Sequence, residues 1–422
     1  MIQLVRFADF VEINPKVELN RGEEYPFIDM AIVEPGRRYV RAIENRIYSG
    51  GGSKFSSGDV LFARITPCLE NGKIVQFKDY DKRKGFGSTE FFIFRAKKQI
   101  SDSSFIYYLV LTDTIRKPAE KSMSGASGRQ RANLTSIVDI KIQLFPLPTQ
   151  QKIAAILSAY DDLIENNTRR IKILEEMAQA IYREWFVNFR FHGHEGVQME
   201  ESELGPVPKG WEVKRLDEVA EVIDCLHGIK PTEVINDDEK FGILLHVWNI
   251  GDEGKLDLLK KFFITEEVYR LWTKRIEVKE GDCVITNVGR IGAVAQIPFD
   301  LTAAIGRNMT AIRGREGIIT PTYLIEYLRS PYFEREKNLK QDLGTVMGSL
   351  NVKGIIRLNI PIPSLTLVKE FETSVRPFRY RIEIFQKQND NLRRTRDLLL
   401  PKLISGEIDV SGLDIRTPEA EA

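Results

Sequence analysis

Between Thr149 and Phe186 the chain holds no glycine or proline. Stepping by four and then three residues from Ile153 meets Ile153, Leu157, Tyr160, Ile164, Asn167, Ile171, Leu174, Ala178, Ile181 and Trp185. Such steps average about 3.5 residues, the period at which a helix keeps one apolar seam turned toward a partner helix. Packing on a broad core would need a wider apolar stripe. At about 1.5 Å per residue the stretch predicts a rod of roughly 50 Å. A lone helix cannot bury its own seam, so a second helix is required.

The same steps from Phe371 meet Val375, Phe378, Ile382, Phe385, Asn389, Leu392, Arg396, Leu399 and Leu403, a copy at a constant offset of 218 residues. Each seam carries one Asn, at a different rung. Parallel pairing in the repeat register would set both amides against apolar side chains, at about 1–3 kcal/mol each. Antiparallel pairing with Asn167 opposite Asn389 sets Ala178 against Phe378, Leu157 against Leu399 and Tyr160 against Arg396. A single buried Asn layer is a device for fixing register. The predicted register is therefore antiparallel, with Pro377 expected to start or kink the second helix.

The globular parts are also written twice. The strand GDVLFARI at Gly58 returns as GDCVITNV at Gly281, and NLTSIVDIKI at Asn133 returns as NVKGIIRLNI at Asn351. Asp59–Ile65, Lys73–Phe77, Glu90–Phe94 and Ile137–Leu144 read as strands, and Phe105–Ile115 and Thr322–Arg329 as short helices, with glycine-rich turns between. The organisation is a mixed domain over 1–148, a long helix over 149–190 capped at Thr149, and a polar linker over 191–210. A second mixed domain follows over 211–363, then a long helix over 364–408 and a flexible tail over 409–422. The predicted fold class is α+β: two similar mixed α/β domains separated by two long helices in an antiparallel coiled coil, with a pseudo-twofold axis.

Composition excludes several alternatives. In 422 residues, 61 basic and 60 acidic side chains leave a net charge of +1, so any nucleic-acid surface must be local. Three scattered cysteines make no disulfide framework. No long apolar run predicts a signal peptide or membrane span, which suggests a cytoplasmic protein. Neither GGGSK at Gly50 nor ENGK ending at Lys73 has the spacing of a phosphate loop, and the tetrapeptide of an amino-methyltransferase is absent. Cys225 and His227 lack a second ligand pair, so no metal is expected. His192 and His194 read as solvated linker residues.

Two similar but non-identical readers suit a two-part sequence on duplex DNA. The chain resembles, over its full length, the specificity subunit of a type I restriction-modification system. The resemblance rests on the GD-led strands at Gly58 and Gly281 and the GRIGAV turn at Gly289. It rests also on the Asn133-Leu134 and Leu350-Asn351 turns, the Pro146/Pro148 and Pro361/Pro363 steps, the GPVPKGW junction and SGEI at Ser405. It implies two target-recognition domains, each reading half of an asymmetric split DNA site, and no catalysis or cofactor of the chain's own. It implies helices that dock two modification (methyltransferase) subunits and set the spacer, and restriction/translocase subunits joining that core. S-adenosylmethionine, ATP and Mg are expected on those partner subunits, in a bacterial or archaeal cytoplasm at the nucleoid. The recognition part of a fused restriction-methylation enzyme and a coiled-coil protein-protein adaptor without DNA readout are the alternatives.

Candidate DNA-reading residues follow from charge and loops. In the first domain they are Arg37, Arg38 and Arg41, the run Lys82–Lys84, and Arg129, Gln130 and Arg131, whose Arg and Gln suit guanine and adenine edges. In the second they are Lys274, Arg275, Arg307 and Arg313, the last beside Arg315. Lys54, Arg64 and Lys73 flank the first GD strand, as Asn287 and Arg290 flank the second, and are expected on phosphates. Ile156, Leu163, Met177, Tyr182 and Phe186 lie off the seam, so the recognition domains or a modification subunit must cover them.

Overall fold

The computed structural model describes residues 3–81, 83–226, 231–251, 254–342 and 348–417. The chain forms two compact units, Met1–Asn167 with Asn389–Ala422, and Thr168–Gln388. Each takes a segment from both long helices, Leu147–Tyr182 and Leu365–Ile404. The first starts at Leu147 rather than at Thr149, because the Pro146 carbonyl already accepts the amides of Thr149 and Gln150 at 2.9 and 3.0 Å. Pro148 fits the first turn, where its missing N–H would be unpaired anyway. The second helix does not start at Pro377. Ser364 caps it, its hydroxyl accepting the Leu367 amide at 3.3 Å, and Pro377 lies in its interior.

Pairing is antiparallel in each unit. In the first, Ile153 and Leu157 share a core with Leu399 and Leu403. The Asn167 amide donates to the Asn389 amide oxygen at 3.1 Å, with both side chains buried. In the second, Ala178 is fully buried in a core against which Phe378 packs, and the Phe371 ring lies 6.0 Å from that of Trp185. At the layer of Tyr160 the helices also carry a charged pair: Arg396 pairs with Asp161, which is buried and also accepts the Tyr108 hydroxyl at 2.6 Å. A buried carboxylate needs a cation more than an aromatic ring does.

The globular part of the first unit holds a five-stranded sheet, a four-stranded sheet and a short ribbon of Leu4–Arg6 with Lys141–Gln143. In the largest, Val60–Ala63 lies between Ile74–Phe77 and Phe91–Ala96, with Val11–Ile13 and Tyr39–Val40 at the edges. In the four-stranded sheet, Glu24–Ile28 pairs in parallel with Lys84–Gly87. The second unit repeats both. Cys283–Thr286 lies between Val294–Gln296 and Met309–Gly314, and Gly242–Leu245 pairs in parallel with Ala303–Ile305. The GD strands are buried on both faces, which is why VLFA and CVIT are continuously apolar.

Side-chain bonds repeat as well. Arg95 forks onto Asp59 at 2.7 and 2.6 Å, and Arg313 onto Asp282 at 2.8 and 2.6 Å. Gln76 donates to the Gly58 carbonyl at 3.1 Å as Gln296 does to that of Gly281 at 3.2 Å. Asp102 and Thr320 cap the helices Ser103–Leu111 and Pro321–Tyr327. The single helix expected over Phe105–Ile115 breaks at Thr112, whose hydroxyl turns back to the Leu109 carbonyl, and resumes as Asp113–Lys121. The strand expected from Ile137 shortens to Lys141–Gln143 behind the turn Thr135–Val138.

Two segments expected to be loose are folded. Within 191–210, Met199–Glu200 pairs with Val207–Pro208, Leu204 and Val207 are buried, and Phe191 packs 5.7 Å from Trp211. The tail buries Val410 in the first unit's core, and the Ser411 carbonyl accepts from Lys152 at 2.7 Å; residues 418–422 lie outside the described residues.

Replacing Asn389 with Leu strands the Asn167 amide and is expected to lower unfolding free energy by about 1–3 kcal/mol. Converting both to Leu should recover most of that loss. Denaturant titration measures both changes.

Candidate nucleic-acid interface

In each unit a parallel strand pair ends where the GD strand ends, and the loops leaving that edge carry the charged candidates. Gly87 and Gly306 close the pair: a side chain at either would collide with the carbonyl of Ile28 or Leu245. Short turns follow, Met30–Ile32 in one unit and Val247–Asn249 in the other. A cation ties down each turn. Lys73 donates to the Met30 carbonyl at 2.8 Å, and Arg290 to that of Ile250 at 2.6 Å.

The first unit gathers Arg64, Glu90 and Arg131 at this edge. Arg131 forks onto the Glu90 carboxylate with contacts of 2.7 to 3.0 Å, and Arg64 reaches it at 3.3 Å. The Arg131 bond holds Glu90 below the usual carboxylate range. Segment 124–131 is bound to the GD strand's extension, with the Thr66 amide donating to the Gln130 carbonyl at 2.9 Å. Arg129 projects from this segment, exposed and without an ion-pair partner among the described residues. Lys54 and Arg64 also line an adjoining cleft of about 370 Å³ with Asn14, Lys16 and Thr89.

Three candidates are corrected by their surroundings. Arg38 is 5% exposed, bonded to Gln76, Ser104 and Ser158 and stacked on Tyr39, so it joins the sheet to the long helix. Asn287 is buried and donates to Thr310 at 3.0 Å and to the Leu350 carbonyl at 2.9 Å. Arg313 is held by Asp282, the counterpart of the Arg95–Asp59 pair. Burial removes Arg38 and Asn287 from the surface a duplex meets, and the partly exposed Arg313 is committed to a buried carboxylate of the frame that both units share.

The rest lie nearer solvent. Arg37 pairs with Glu34 at 2.9 Å, Arg41 lies 4.0 Å from Glu165 and over Tyr80, and Lys54 lies over Tyr48. Arg83 pairs with Asp79 at 2.9 Å and Arg275 donates to the Cys225 carbonyl at 2.9 Å. Lys274 and Arg307 are exposed and, among the described residues, have no ion-pair partner. Lys82 and His227 lie outside the described residues. Burial pushes the Cys225 thiol up, and no three-residue metal-holding group occurs among the described residues.

The second unit's edge also holds residues not foreseen from sequence. Trp248 is half exposed, stacked on His246 at 4.0 Å with Lys260 5.2 Å over its ring. Burial lowers the His246 pKa, which keeps the stacked imidazole neutral near pH 7. Since Arg307 follows Gly306 and His246 follows Leu245, both groups leave the parallel pair at one end. An aromatic inside the short HVWN turn was the available signal.

Off the seam, Tyr182 and Phe186 are buried in the second unit's own core and Ile156 packs against that of the first. Leu163 and Met177 remain 53% and 43% exposed. No helix among the described residues is long and apolar enough to cross a membrane.

One scaffold repeated with different polar side chains at the same edge defines a two-headed recognition protein. Residues 3–176 match the family described as type I restriction modification DNA specificity domain. The MjaIX specificity subunit of Methanocaldococcus jannaschii is 29% identical over 317 residues, 74% of this chain and 70% of that protein. The MjaVIII specificity subunit of the same organism is 25% identical, covering 98% of this chain and 94% of that protein. The type I restriction-modification S subunit of M. genitalium shares the fold, with a TM-score of 0.51, 14% identity and 96% of each chain covered. Residues 3–176 thus match the DNA specificity domain of type I restriction-modification systems, and nearly the whole chain is similar to type I specificity subunits.

Arg38→Ala is expected to cost about 1–3 kcal/mol of stability, since it empties a buried hydrogen-bonded site. Arg129→Ala should stay within about 0.5 kcal/mol of the parent. Chemical denaturation of both variants separates the structural guanidinium from the exposed one.

Proposed function

We propose that this chain is the non-catalytic DNA-reading subunit of a type I restriction-modification complex, each globular domain reading one half of a bipartite asymmetric site. The observation that carries this reading is the duplicated strand edge: one backbone frame, presented twice, with Arg129, Gln130 and Arg131 in one copy and Trp248, Lys260 and Arg307 in the other. Arg129 and Arg131 suit guanine and Gln130 suits adenine in a major groove. Lys54, Lys274 and Arg290 act on phosphates, which position a protein without specifying sequence. Arg37, Arg41 and Arg275 supply weaker attraction from the flanks.

The long helices join the readers and set the number of unread base pairs. Leu163, Ile173 and Met177 stay exposed on the first helix and are covered by two modification subunits. Those subunits hold S-adenosylmethionine, and the restriction/translocase subunits that join them use ATP and Mg. The complex works on chromosomal DNA in the cytoplasm.

Exchange of residues 1–148 for the corresponding domain of another family member, followed by methylome sequencing, tests the reading. One half of the methylated motif should change and the other should stay; a change in both contradicts independent readers. Arg129→Ala should cost about 1–3 kcal/mol of DNA-binding free energy and relax one base position. Uniform weakening across sequences, with a salt slope lower by about one, would instead make Arg129 a phosphate contact.

A further inference from the structure

Glu90 is an acid at an edge otherwise built to meet polyanionic DNA. Its carboxylate accepts both the Nε and Nη2 of Arg131, and also Arg64. Its own amide donates to the Ser88 hydroxyl at 3.2 Å, and its carbonyl accepts the Arg64 amide at 3.0 Å. The residue is thus fixed by backbone and side chain at once. A carboxylate here subtracts one charge from two guanidiniums and weakens attraction for phosphate. In return, the fork holds one edge of Arg131 and leaves the other edge in a single direction. Arg131 itself is 49% exposed while Glu90 is 17% exposed, so the acid lies beneath and the cation above.

The second unit provides an internal comparison. The Asn287 amide donates to the Asn308 carbonyl at 2.8 Å, as Arg64 does to Glu90. The Leu350 amide donates to the Asn287 carbonyl at 2.9 Å, as Ala132 does to Arg64 at 2.7 Å. The stations of Arg64, Glu90 and Arg131 are therefore held by Asn287, Asn308 and Ser349. The frame is the same, and the acid is absent.

We propose that Glu90 is the positioning residue of the first reader: it aims Arg131, and with it Arg64, at base edges, giving up raw attraction for DNA in exchange for discrimination. This rests on the first domain's reading one half-site. The second reader works without such a latch.

The full chain, co-purified with its modification subunits, is tested as wild type, Glu90→Gln, Glu90→Asp and Arg131→Lys. Glu90→Gln is expected to bind a duplex lacking the target several-fold more tightly at low salt, with a log–log salt slope steeper by about one. Its methylated motif should relax in the first half-site alone. Glu90→Asp keeps the charge and should restore most of the discrimination. Arg131→Lys keeps the charge and loses the fork, so the motif should relax with the salt slope unchanged. An unchanged motif in both Glu90→Gln and Arg131→Lys overturns the proposal, as does relaxation in both half-sites. If exchange of residues 1–148 leaves the wild-type motif unaltered, the underlying reading fails instead.

Discussion

The amide of Asn167 donates to the amide oxygen of Asn389 across two helices joined mainly by apolar side chains and, in the same unit, by the Arg396–Asp161 pair. A buried neutral hydrogen bond contributes only about 1 kcal/mol of net stability. Any other register would leave two amides unpaired, at about 1–3 kcal/mol each. The layer therefore decides alignment more than strength. Leu157 meets the end of the second helix in one core and Ala178 meets its beginning in another because this alignment holds.

Each globular domain is joined to its helix segment by a polar contact at repeat-equivalent positions, yet the chemistry differs. In the first unit the Tyr108 hydroxyl donates to Asp161, which also pairs with Arg396. In the second, Glu326 occupies the place of Tyr108 and lies 3.5 Å from Arg379, which occupies that of Asp161. Gln179 and Arg329 complete the shell of Glu326. Removing one partner of a buried ion pair costs about 3–5 kcal/mol. A domain moved to the other position would set Tyr108 against Arg379, or Glu326 against Asp161. Shape was duplicated, while each joint was fitted to its own side.

Much of this was legible in the sequence because burial has a period. The seams, the GD strands and the Asn register could be read because an apolar stripe and a buried amide each require a partner. The roles of the cations could not. A guanidinium leaves the same mark in a chain whether it faces solvent, as Arg129 does, or lies buried on Tyr39 and Ser158, as Arg38 does. The offset itself could have flagged Arg313, since Arg95 with Asp59 recurs as Arg313 with Asp282 and a shared pair cannot encode a domain's own target. Glu90 was passed over as an acid among bases. Leu204 and Val207 were hidden in a stretch whose Gly, Pro and charges outnumber its apolar residues.

If the helices join two independent readers in the register set by Asn167 and Asn389, their length fixes the unread spacer of the DNA site. Four residues inserted into the first long helix alone shift its seam against its partner. Four inserted into both, at positions facing each other, restore every layer at the cost of a local change in winding. Methylome sequencing of cells expressing the matched variant with its modification subunits should show both half-sites unchanged and a longer spacer, while the single insertion should abolish methylation. An unchanged spacer in the matched variant, or normal methylation by the single one, would contradict the account.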